Sequence, residues 1–134
     1  KVLFLCTGNT ARSILGERLL AHHGAGRFLA YSAGSRPKGS IHPLTIRTLD
    51  ARGIRLGPAR SKSWDEFAAP GAPVQAHWGL PDPAAVDGPE EARLAAFARA
   101  CDVLERRVKA LLALDVPALD AASVRRELSA IGRQ

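Results

Sequence analysis

An uninterrupted apolar run, Val2-Leu3-Phe4-Leu5, opens the chain. Apolar residues in a row without alternation suit a strand buried on both faces, as in a parallel sheet. A Gly-containing turn follows, and residues 13–23 then take up a helical rhythm in which Ile14, Leu15, Leu19 and Leu20 are apolar. Ser13 suits the N-cap or first turn of that helix, and Gly24 and Gly26 stop it. Residues 28–32 read as a second strand, which makes a βαβ start and predicts an α/β fold around a parallel sheet.

Beyond a Gly/Ser/Pro-rich loop over residues 33–40, Pro43 opens a second helix at its first position and Gly53 closes it. Arg60-Ser61-Lys62-Ser63 precedes a short turn, Trp64-Asp65-Glu66-Phe67, and residues 74–78 predict a short strand. A loop with Pro81, Pro83 and Pro89 leads into the clearest helix of the chain. There Leu94, Phe97, Cys101, Leu104, Val108 and Leu111 recur at steps of three and four, giving one apolar stripe. A tail helix is expected to start near Ser123. There is no internal repeat and no low-complexity segment.

The length of 134 residues predicts a single domain spanning 1–134. With 46% hydrophobic and 24% charged residues, the chain reads as globular. No apolar run is long enough to cross a bilayer, and the short apolar opening does not make a signal peptide. Only two cysteines are present, which excludes a disulfide scaffold, and a reducing cytoplasm is the expected compartment. The net charge of +6 favours anionic partners. The basic residues are scattered and aromatics make up only 5%, so a solvated basic surface is the better reading than nucleic-acid binding. His22, His23, His42 and His77 are too dispersed to argue for a metal site, and surface or packing roles are expected.

The chemistry is concentrated in Cys6-Thr7-Gly8-Asn9-Thr10-Ala11-Arg12-Ser13, between a strand and a helix. A helix N-terminus presents unpaired N–H groups and a positive dipole end, and a small loop wrapped there makes an anion cradle. Cys6, at the strand end, places its sulfur at the bottom of that cradle, where the positive field favours the thiolate. Arg12 is the fixed cation, able to grip two oxygens of a tetrahedral oxyanion. Gly8 is expected to supply a backbone conformation denied to other residues. Asn9 is expected to brace the loop, and the Ser13 hydroxyl to donate to the sulfur.

With these residues the chain resembles the low-molecular-weight phosphotyrosine phosphatase fold in its arsenate reductase branch. The likeness runs through Val2 to Ser13, Ser32-Ala33-Gly34-Ser35, His42-Pro43, Gly53-Ile54, Arg60-Ser61-Lys62-Ser63 and His77-Trp78-Gly79-Leu80-Pro81-Asp82-Pro83. It implies a three-layer α/β fold, with helices on both faces of a central parallel sheet of order 2-1-3-4. It also implies that Cys6 is the nucleophile, that the loop backbone from Thr7 to Ser13 with Arg12 binds the oxyanion, and that Asp82 protonates the leaving oxygen.

Two activities share that first step. A phosphatase hydrolyses the cysteine adduct with water; a reductase lets a second thiol attack the Cys6 sulfur and expel arsenite. Tyrosine phosphatases of this fold usually carry aromatics after the Asp-Pro and a second cysteine before the loop Arg, where this chain has Ala84-Ala85 and Ala11. A small inorganic oxyanion, arsenate or phosphate, is therefore the expected ligand, and arsenate reduction the expected activity. Thioredoxin-linked members carry two further cysteines before the Asp-Pro loop; here the only other thiol, Cys101, falls on the apolar stripe as a packed core residue. The reducing thiol is expected from outside, from glutathione, mycothiol or a redoxin, with no tightly bound cofactor. A non-catalytic anion-binding module is a further reading, marked by a Cys6 inert toward thiol reagents. Finally, residues 67–74 hold little but Ala, Pro and Gly, where the family has a buried apolar strand. A segment is therefore expected to be missing near residues 70–77, and the family's third strand to lie between the first strand and the one near Val74.

Overall fold

The computed structural model describes residues 1–68, 73–76, 78–115 and 118–133. Strand β1 (Val2–Cys6) lies at the centre of a parallel sheet of order β2-β1-β3, flanked by β2 (Ala30–Gly34) and β3 (Val74–Ala76). The helices are α1 (Arg12–His23), α2 (Pro43–Ala51), α3 (Glu90–Leu112) and α4 (Ala121–Ile131). Short 3-10 helices span Trp64–Phe67 and Pro83–Ala85.

Alternation along β1 sorts its side chains between the layers. Val2 and Phe4 face a core made with Leu15, Leu19 and Leu20 of α1, with Cys101, Leu104, Val108 and Leu111 of α3, and with Val124, Leu128 and Ile131 of α4. Leu3, registered opposite Tyr31 of β2, points to the other face, where Tyr31 meets Phe67 of the 3-10 helix edge to face at 5.5 Å. Phe4 meets the ring of Trp78 at 5.2 Å in a T-shaped pair. The Trp78 indole N–H donates to the Leu128 carbonyl, which fastens the segment after β3 to α4. The predicted stripe of α3 is buried from Phe97 to Leu111, while Leu94 packs with Leu44 and Ala11 under α2.

Two expectations need correction. The second strand starts two residues later than read from sequence. Phe28 closes the turn after α1, its N–H donating to Gly24 O, and packs against the core from there. The strand then takes in Ser32 and Gly34, a polar and a small residue that serve contacts with α1 and the Cys6 loop. The expected strand between β1 and the segment near Val74 is replaced by that segment itself: Val2 pairs directly with Val74 and Phe4 with Ala76. Buried backbone groups need partners, and this three-residue strand supplies them to β1. The order matches the first three positions of 2-1-3-4; the junctions at residues 69–72 and 77, where a missing segment was expected, lie outside the described residues.

His42 has a role that its scattered position did not reveal. It is the N-cap of α2, its Nδ1 accepting from the Leu44 N–H at 3.1 Å. Only a neutral imidazole can accept there. Burial first, then the cations Arg93 and Lys38, hold His42 below its ordinary 6.5, while Asp82 pulls the other way. The unfolded chain therefore binds the proton more readily, so the stabilisation is present above about pH 6.5 and is lost as pH falls through the lowered value. Urea midpoints at pH 7.5 and 5.0 are expected to drop further for the wild type than for His42→Asn, which keeps a capping acceptor but does not titrate. Equal drops would remove His42 as the source.

Candidate active site

The loop after β1 is shaped by what holds its carbonyls. Cys6 O accepts from Ser35 N, Thr7 O from Arg36 N, Gly8 O from Lys38 N, and Thr10 O from both His42 N and the Thr45 hydroxyl. A trans peptide points its C=O and the following N–H in opposite directions. With four carbonyls of the loop drawn outward onto residues 35–45, the N–H groups of Thr7, Gly8, Asn9 and Ala11 are turned to the inner side. The Asn9 N–H shows the result, pointing at Cys6 Sγ from 3.3 Å. The N-terminus of α1 adds to this concave donor surface: its N-cap is Ala11, with no capping side chain, and no acidic residue stands in its first turn.

The sulfur has a second polar neighbour. Ser13 Oγ lies 2.8 Å from Cys6 Sγ. Asn9 Nδ2 donates to that same Oγ at 2.7 Å, which fixes the serine oxygen next to the sulfur; a thiol can donate to it, and a thiolate can accept from it. Asn9 is itself fixed from behind, its Oδ1 accepting from Lys62 N at 2.8 Å. A chain of hydrogen bonds thus runs from residue 62 through Asn9 and Ser13 to the thiol. Asn9, not Gly8, is the residue with left-handed backbone, at φ 49. Asparagine tolerates that region better than other side-chain-bearing residues, so the expected role of Gly8 belongs to its neighbour. The glycine that sterics demand is Gly34, where an added Cβ would come within 2.4 Å of Thr7 O.

Behind the loop sits a buried charge pair that sequence reasoning missed. Lys62 Nζ lies 3.7 Å from Glu17 Oε1, and the same oxygen accepts from the buried Ser32 hydroxyl at 2.8 Å. The ammonium also donates to Arg60 O. Burial pushes the Lys62 ammonium down from its ordinary value, with Glu17 opposing. The pair joins α1, β2 and the segment that braces Asn9.

In front, Arg12 is oriented by two contacts. Nη1 donates to Leu80 O at 3.3 Å and Nη2 stands 3.6 Å from Asp82 Oδ2. Asp82 has extended backbone and caps the Pro83–Ala85 turn, its Oδ1 accepting from Ala84 N. Fold and ion pair together bring Asp82 to the rim of the Cys6 loop through Arg12. A pocket of about 310 Å³ opens over Cys6, lined by Leu5, Cys6, Thr7, Arg12, Ser35, Trp64, Trp78 and Gly79. Arg107 of α3 holds the Gly79 carbonyl from below at 3.1 Å. Trp64, 47% exposed, is an aromatic wall that the local sequence gave no reason to place there.

Cys101 is far from this chemistry in character. It is fully buried among core residues, and burial pushes its thiol up to about 11. A thiol-specific chromogenic reagent is expected to modify one sulfur per native chain, none in Cys6→Ser, and two after denaturation. Rapid native labelling of Cys101 would contradict the packing described.

The low molecular weight phosphotyrosine protein phosphatase family model matches residues 1–72, from β1 through the Trp64–Phe67 turn. An arsenate reductase of Bacillus licheniformis is 30% identical over 128 residues, covering 81% of this chain and 91% of that protein. The crystal structure of arsenate reductase from Archaeoglobus fulgidus superposes with a TM-score of 0.68 at 26% identity, covering 85% of this chain and 100% of that one. A low molecular weight protein tyrosine phosphatase from T. tengcongensis has the same fold, with a TM-score of 0.68 at 21% identity, covering 83% of this chain and 96% of that one. Matched over more than half its length by the family model, and across most of it by these relatives, the chain belongs to the low molecular weight phosphotyrosine protein phosphatase family.

Proposed function

We propose that this chain is an arsenate reductase in which Cys6 is the nucleophile. The observation that carries the reading is the pair of hydrogen-bond contacts on Cys6 Sγ, the Asn9 N–H at 3.3 Å and the Ser13 hydroxyl at 2.8 Å, at the foot of an outward-tethered loop. When the sulfur attacks as a thiolate it accepts from both groups, which aim it at an anion in the cradle. Arsenate is held by the inward N–H groups of residues 7–13 and by Arg12, which releases Asp82 as it engages the oxyanion. Cys6 Sγ attacks arsenic, and Asp82 delivers a proton so that one oxygen leaves as water. A donor thiolate then attacks Cys6 Sγ. A disulfide bond forms, the S–As electron pair stays on arsenic, and arsenite leaves with arsenic reduced by two electrons. A second donor thiol resolves the mixed disulfide and restores Cys6.

The donor is external, drawn from a reducing cytoplasm, because Cys101 is buried and protonated at neutral pH. The choice of arsenate rests on the curated relatives, named arsenate reductase at 27% to 30% identity over 81% of this chain. Ala84 and Ala85 after the Asp-Pro step agree with it, since they offer no ring for a phosphotyrosine. One feature favours the second reading, a phosphatase passing through phosphocysteine: Trp64 supplies an aromatic wall from elsewhere.

The test sets the two side by side. Purified protein is given arsenate with glutathione, mycothiol or a redoxin system, and an aryl phosphate without donors. Arsenite formation with at least one donor, weak aryl phosphate hydrolysis, and loss of turnover by more than about a thousandfold in Cys6→Ser with phosphate affinity retained are expected. Strong aryl phosphate hydrolysis with no arsenite formed selects the phosphatase, and an active Cys6→Ser removes the nucleophile.

A further inference from the structure

The pocket over Cys6 is larger than its proposed inorganic substrate requires. A tetrahedral oxyanion fills the loop between Cys6 and Arg12, but the 310 Å³ space continues to Leu5, Ser35, Trp64 and Trp78. Of these, Trp78 is committed to structure, its ring against Phe4 and its N–H on Leu128 O. Trp64 is not: almost half its surface is exposed, which is unusual for so large an apolar side chain.

Its position is nonetheless fixed. Ser63 bridges to Gly34 at the end of β2, and Gly34 N donates to Lys62 O. Ser63 also caps the 3-10 turn, its Oγ accepting from Asp65 N. The backbone under Trp64 is thereby tied to the strand next to β1, and the residue lines the pocket that holds Cys6. An exposed aromatic face carried on an anchored turn in a pocket with a cysteine is a stacking surface for an organic group. Arg36 and Lys38 are exposed on the segment that follows the pocket residue Ser35 and whose N–H groups tether Thr7 and Gly8.

We propose that Trp64 forms the subsite for the thiol donor, and that the donor is a low-molecular-weight, peptide-like thiol bearing carboxylates. The inference rests on the reductase reading, in which a second sulfur must reach Cys6 Sγ while arsenic occupies the cradle. The walls around that sulfur fit a small molecule that enters between Trp64 and Ser35, its amide or alkyl part against the indole and its carboxylates toward Arg36 and Lys38. A redoxin would have to bring a folded surface to a thiol that lies inside the pocket. Trp64 touches the co-substrate in this account, not the arsenate.

Binding can be measured without turnover. S-methylglutathione, which cannot donate a thiol, and phenylphosphonate, which carries a ring on a tetrahedral oxyanion, are titrated calorimetrically into wild type, Trp64→Phe and Trp64→Ala. Inorganic phosphate serves as the check on the cradle. S-methylglutathione is expected to bind the wild type, to stay within about threefold in Trp64→Phe, and to weaken by about tenfold or more in Trp64→Ala, with phosphate affinity unchanged in all. In the arsenate assay the same Trp64→Ala change raises the KM for glutathione and leaves that for arsenate alone. Equal S-methylglutathione affinity in Trp64→Ala overturns the proposal, as does a Trp64 dependence confined to phenylphosphonate, or arsenite formed with a redoxin only. Trp64-dependent S-methylglutathione binding in a protein that forms no arsenite supports the subsite while sinking the reductase reading, so the two fail separately.

Discussion

Peptide planarity, applied at one loop, is the constraint on which the site depends. Four carbonyls between Cys6 and Thr10 are held outward by residues 35–45, and the following N–H groups are turned inward as a consequence. No charged side chain is needed to make the inner surface positive, because it is made of backbone. The arrangement requires β2 to run very close to the loop, which Gly34 permits by lacking a Cβ. It also requires one residue of the loop to turn into left-handed backbone, and Asn9 does so while its side chain joins Lys62 N to Ser13 Oγ. An alanine at Asn9 would lose both the conformational tolerance and the link.

The electrostatic layout follows from the same geometry. At the front of the loop Arg12 is paired with the partly exposed Asp82. At the back the Glu17 carboxylate is shared, Oε1 with Lys62 and the Ser32 hydroxyl and Oε2 with Arg18. The pair of Lys62 and Glu17 adds little net stability, because both charges are taken from water. It fixes position instead: it locks α1, β2 and the 60–62 segment to one another, and the last of these carries the N–H that orients Asn9. The reactive sulfur is therefore positioned through contacts that begin on three separate elements.

Much of this was legible in the chain. The apolar run of β1, the Cys-x5-Arg-Ser spacing and the three-four stripe of α3 are local patterns whose physical causes are local, and the structure places them as read. The Asp-Pro step also announced itself, since the proline favours the extended backbone that Asp82 adopts. What sequence concealed depends on long-range register. Ser63 pairs with Gly34 across 29 positions of chain, and that bridge, with the Lys62 bonds to Gly34 and Asn9, brings Trp64 into the Cys6 pocket. Lys62 looked like one more surface cation until the fold buried it on Glu17. The capping role of His42 was hidden because a neutral imidazole at an N-cap leaves no strong residue signature. The second strand was misplaced because Phe28 is apolar for the sake of a turn that packs on the core, while Ser32 and Gly34 are strand residues chosen by their neighbours.

The account turns on whether Cys6 carries the intermediate, and intact-mass spectrometry of quenched reactions reads this directly. With arsenate and glutathione together, the protein is expected to gain one glutathione in disulfide linkage, located on Cys6 by peptide mapping, and to gain none when either reagent is left out. An arsenate-independent adduct, an adduct on Cys101, or arsenite released with Cys6 never modified would contradict it.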